Sequence, residues 1–192
     1  MIKNRYLVGL LATAVLAFSA CSSQQEPATQ AFNAAESALA SVREDAARYI
    51  PEQLKEAEAT LAHLKDQLTK KDYRAVIAGA PAFNATVTKL QEEAASRKAD
   101  FETEWNSVQS DVGKMADAIQ SRVDTLAKSR RLPSGITKEA FESAKSGLDQ
   151  LKATLESAKT TAGSNPMDAV TIAKGAQAKG KEVLQLLGMP AG

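Results

Sequence analysis

One thiol, one imidazole and a scatter of carboxylates are the groups in this chain with chemistry to offer. Cys21 is the single cysteine, so no disulfide can close within the chain. It stands directly after two small residues, Ser19 and Ala20. Before them runs an apolar stretch, Tyr6 to Phe18, led by Lys3 and Arg5. A basic start, an apolar middle and small residues before a cut form the architecture of an export signal. His63 is the single histidine. A metal site needs several converging His, Cys or carboxylate ligands, and His63 has no such company; it reads as a surface or edge-of-core residue. Carboxylates such as Glu92, Glu93 and Asp100 to Glu104 are what a solvated helical face normally carries. There is no phosphate-binding loop, dinucleotide turn or nucleophile elbow. No enzyme activity, cofactor or metal is expected.

The residues around Cys21 resemble a bacterial lipoprotein signal. The resemblance implies that the cysteine becomes the acylated first residue of the mature protein. Phe18 departs from the aliphatic residue usual at its position. Ser22 follows the cysteine, where an aspartate would imply retention in an inner membrane, so the pattern is similar to that of outer-membrane, periplasm-facing lipoproteins. A transmembrane helix is the first alternative. However, Tyr6 to Ala20 is 15 residues, short of the ~20 needed to span, and a polar stretch follows at once. A secretory signal beside an unrelated cysteine is the second. Acylation such as palmitate would supply the anchor: buried chains contribute roughly 0.8 kcal/mol per methylene, and stable attachment takes more than one chain.

Removing Lys3 and Arg5 with the leader changes the formal net charge from +1 to −1. That balance lacks the basic footprint of a nucleic-acid binder. Alanine is abundant and aromatic residues are 5% of the chain, which favours helices joined by narrow contacts over a thick aromatic core. Residues 21–28 read as a tether. The apolar spacing then predicts helices over residues 29–49, 51–70, 73–128, 138–161 and 166–187. The first is expected to bury Ala31, Ala34 or Ala35, Ala38, Val42 and Ala46. The third would run about 84 Å, at ~1.5 Å per residue, with Pro81 bending it. Asp72 and Thr137 are expected caps. Short turns make neighbours antiparallel. The expected fold is all-α: an elongated antiparallel bundle of about five helices around one long central helix, coiled-coil-like.

Trp105 sits at helical spacing between Phe101 and Val108. It reads most simply as core, and otherwise as an anchor for a partner protein. Lys128, Arg130 and Arg131 cluster at a turn, by default solvated and otherwise a weak contact for anionic lipid or cell-wall polymer. Phe101, Trp105, Arg130 and Arg131 are therefore the candidate partner-contact residues. An internal echo also exists. Leu54, Ala57, Leu61, Leu64 and Leu68 return as Phe141, Ala144, Leu148, Leu151 and Leu155 at an offset of 87. Asp72 with Gly79-Ala80 returns as Asp168 with Gly175-Ala176 at 96, so that two subdomains would share the long helix.

Residues 31–89 resemble an uncharacterised family of alanine-rich helical envelope lipoproteins of Gram-negative bacteria. The carrying residues are Ala46-Ala47, Tyr49-Ile50-Pro51 with Leu54 and Ala57, Leu61, Leu64, and Asp72-Tyr73 with Ala75. That family brings no biochemical activity with it. The expected function is a membrane-anchored periplasmic structural or interaction module, in contact with an envelope protein, peptidoglycan or a second copy of itself. The alternative is a periplasmic binding or chaperone-like protein that holds a lipid, peptide or unfolded client between helices. A covalent tie to peptidoglycan through a terminal lysine is disfavoured, because the chain ends Met189-Pro190-Ala191-Gly192.

Overall fold

Alanine, leucine and valine recurring every three or four residues give helices throughout. The computed structural model describes residues 19–190, with side chains from residue 24 onward. Among the described residues there are five helices and no strand: α1 Ser19–Tyr49, α2 Pro51–Thr69, α3 Tyr73–Ala127, α4 Lys138–Ala162 and α5 Pro166–Leu186. The leader expected over residues 1–20 lies outside the described residues except for the backbone of its last two.

Residues 21–28, expected as a tether, belong to α1. Ala28 is fully buried and Thr29 Oγ1 donates to the Gln25 carbonyl at 2.9 Å, so the packed helix begins earlier than its polar sequence implies. The buried face of α1 is also turned by one residue from the expected one: Ala28, Phe32, Ala35, Leu39, Val42, Ala46 and Tyr49. Ala31 and Ala38 stand at its edge. Phe32 and Leu39 bring more apolar area than alanine, and burying them wins.

Prolines punctuate the chain as their chemistry requires. Pro51 and Pro166 begin α2 and α5, where a missing N–H costs nothing. Pro81 lies inside α3, which continues through it. Its ring leaves the Ile77 carbonyl without the usual helical donor. Both Pro81 and Ile77 are exposed, so water can serve that carbonyl. Asp72 Oδ1 accepts from the Ala75 amide at 3.2 Å, and Thr137 Oγ1 accepts from the Ala140 amide at 3.1 Å. Asn165 caps α5 in the same way, taking the Asp168 amide at 3.2 Å.

By its contacts the chain divides into two compact units, Met1–Ser96 and Arg97–Gly192. The first holds α1, α2 and the start of α3; the second holds the rest of α3 with α4 and α5. In the first, Leu54, Ala57 and Leu64 of α2 join the α1 stripe and Val76, Ala80, Phe83, Val87, Leu90 and Ala94 of α3 as the buried set. Arg43 of α1 pairs with Glu58 of α2 at 3.2 Å, and Gln53 of α2 donates to Glu93 of α3 at 3.0 Å. In the second unit, Trp105, Val112, Ile119, Leu151, Val183 and Leu187 lie within one continuous apolar cluster. Lys174 of α5 pairs with Glu104, and Lys152 of α4 donates to Gln120, both on α3.

The two units repeat one burial pattern. Ala28, Ala35, Leu39, Val42, Ala46 and Tyr49 correspond to Trp105, Val112, Ala116, Ile119, Val123 and Leu126, each 77 residues on, and all are buried. The α2 set returns in α4 at 87, as Leu54 with Phe141 and Leu64 with Leu151. The buried set of early α3 returns in α5 at 93, as Val76 with Ala169, Leu90 with Val183 and Ala94 with Leu187. The expected offset of 96 for this last pair is therefore corrected by three residues. The Gly-Ala matches that suggested 96 reflect composition, whereas burial registers at 93. That value follows from α4 having 25 residues against 19 in α2, six more, with three-residue turns after both. The caps agree, since Asp72 and Asn165 are also 93 apart.

Small residues set how closely the helices of the second unit approach. A Cβ added at Gly147 would lie 2.5 Å from Val183 Cγ2, and at Gly180 it would fall on the Met115 sulfur. Val183 is β-branched and cannot swing aside. Gly147→Ala is therefore expected to destabilise the protein by about 1–2 kcal/mol through overpacking, despite alanine's better helix propensity. Gly175 meets nothing within 4 Å, so Gly175→Ala should instead stabilise by about 0.5–1 kcal/mol. Urea unfolding of the two variants checks the pair; equal shifts of the same sign would show that the α4–α5 approach is looser than this geometry.

Candidate functional site

Cys21 lies on the third residue of α1, and its side chain is outside the described set. Ala28, the first buried residue among those described, is seven positions further on, or roughly 10 Å along the helix at 1.5 Å per residue. The body therefore begins almost at the cysteine.

The other residues singled out by sequence take different places. Trp105 is 8% exposed and belongs to the core of the second unit, so it is not a surface anchor. Its position in the repeat explains this, because it occupies the place that Ala28 takes in the first unit. Phe101 is half-buried and packs against the same cluster. Arg130 and Arg131 are exposed in the segment between α3 and α4. With Lys128 and Lys138 they form no ion pair with any described residue. Phe101 and Trp105 are thus not brought together with the arginines into one site. His63 is exposed on α2.

Nothing among the described residues gathers three potential metal ligands. The depressions of the second unit are lined by polar and charged side chains: one by Asp117, Gln120, Ser121, Asp124, Thr125 and Lys128 along α3, another by Asn106, Ser110, Lys114 and Asp117 against Leu155 and Lys159 of α4. In the first unit, Gln53, Thr60, Lys89 and Glu93 surround Ala57 and Leu90 between α2 and α3. No helix among the described residues is long and apolar enough to cross a membrane. Most ion pairs follow the helical spacing, such as Lys70 with Asp66 and Lys159 with Glu156, and belong to solvated faces.

No protein-family model matches this chain, and comparison with curated proteins and with solved structures finds no match.

Proposed function

We propose that this chain is an acylated lipoprotein of the bacterial envelope, held on the periplasmic face of the outer membrane through Cys21, whose two helical units serve as a structural or protein-interaction module. One observation carries the reading: the only cysteine directly follows two small residues at the end of an apolar leader with a basic start. The described body supports it in a second way. Its helices present long solvated faces, which suit contact with a partner. The same leader, with Ser22 after the cysteine, supports outer-membrane sorting.

Photo-crosslinkers placed at exposed positions of α3, such as Ser96 and Lys114, in intact cells test the interaction role. The expected result is a discrete crosslinked envelope protein, or a second copy of the chain, identified by mass spectrometry. Failure to capture any envelope component from either position, together with a small molecule retained through purification, would turn the assignment toward a carrier.

A further inference from the structure

We infer that the α3–α4 turn of the second unit is a docking surface for anionic phospholipid. The repeat isolates this segment. Where the first unit joins its first two helices through Ile50 alone, the second uses residues 128–137. The first unit makes the same reversal without those extra residues; here Leu132 and Ile136 pack into the core and the other eight are exposed. Loops longer than their connection requires are where function concentrates.

The charge of the insertion is one-sided. From Thr125 to Lys138 the chain carries Lys128, Arg130, Arg131 and Lys138 and no acidic residue. All four cations are exposed and none has an ion pair among the described residues. Of the nearby acids, Asp124 accepts from Gln120 at 2.8 Å, Lys145 lies 3.1 Å from Glu142 and Lys179 lies 2.9 Å from Glu182, while Glu139, next to Lys138, is exposed. Antiparallel packing brings the end of α5 to this same end of the unit, where Leu187 and Met189 share a cluster with Leu126, Leu132 and Ile136. Leu186, one of the few large apolar side chains left exposed, closes α5 there. Cations at the same end of the unit as an exposed leucine suit a lipid interface, where charge meets headgroups and the apolar chain meets the acyl boundary. An anionic glycan would satisfy the cations and leave Leu186 in water.

The inference does not depend on acylation, so its test uses the chain from Ser22 onward, which retains every residue that is buried among the described ones. Co-sedimentation with vesicles of phosphatidylglycerol in phosphatidylcholine is compared with phosphatidylcholine alone. Binding to the anionic vesicles is expected, weakening as salt rises. Lys128→Gln, Arg130→Gln and Arg131→Gln together should lower the partition coefficient roughly 100-fold, at about fivefold per basic residue near the surface. Lys55→Gln, Lys65→Gln and Lys89→Gln together change net charge equally on exposed sites of the first unit, and should change it only a few-fold. An unchanged helical circular dichroism spectrum keeps folding out of the comparison. No binding to anionic vesicles, an equal loss in both triple variants, or binding to purified peptidoglycan in place of vesicles would overturn the assignment.

Discussion

Replacing Cys21 with serine should transfer the protein from the membrane fraction to the soluble periplasmic fraction and abolish incorporation of labelled palmitate. Serine keeps the size of the side chain and loses the sulfur to which an acyl chain is attached in this class of signal. Each buried methylene of an acyl chain contributes roughly 0.8 kcal/mol, so several chains hold a protein far more firmly than surface contacts do. Without them, the basic segment at residues 128–137 would be the remaining hold, and that attraction is screened as salt rises. A high-salt wash therefore separates the two contributions. The wild-type protein should resist the wash, and any residual variant held by the basic segment should leave with it. Persistent sedimentation of the variant through the wash, or undiminished palmitate label, would remove the anchor from Cys21 and the lipoprotein reading with it.

Leu151→Ala should cost the second unit about 2–3 kcal/mol, the lower half of the range for emptying a leucine site. Leu151 is fully buried on α4. It lies close to where Met115 of α3 crosses Gly180 of α5, since a Cβ at Gly180 would come 3.5 Å from Leu151 Cδ1. Met115 is unbranched and only partly buried, so it can move to fill some of the void, which sets the estimate below the maximum. Trp105, the only tryptophan, belongs to the same cluster and reports this unit directly through its fluorescence. A urea midpoint by tryptophan emission should fall with little change in slope. A loss under about 1 kcal/mol would mean that the site collapses fully, and the tight α3–α4–α5 packing would need revision.

Much of this architecture is legible from local chemistry. Pro51 and Pro166 mark helix starts, and Asp72 and Thr137 mark caps. The stripe of Phe83, Val87, Leu90, Val112, Ile119, Val123 and Leu126 identifies the inward face of α3. The face of α1 was less legible. Alanine at positions 31, 34, 35 and 38 makes several adjacent faces almost equally apolar, and Phe32 and Leu39 decide among them only once a partner helix is present. The repeat shows the same limit. Its 87-residue half is carried by leucines, which hydropathy detects, while its 93-residue half pairs Phe83 with Ala176 and Val87 with Gly180, which hydropathy does not. Trp105 fits either a core or a surface role by spacing, and its packing with the second unit's cluster settles it.

By itself the sequence determined that the chain forms helices and where most of them begin and end, and it supplies the motif at Cys21 on which the proposed anchor rests. These depend on backbone restriction, capping and periodic burial, all of which act over a few residues. Tertiary structure decided which face of α1 is buried, that Gly147 and Gly180 admit Val183 and Met115, and that Lys174 finds Glu104 while Arg130 and Arg131 find no ion-pair partner among the described residues. Those outcomes depend on distances between helices far apart in the chain, and a one-dimensional pattern carries no information about the shape of the surface that a side chain will meet.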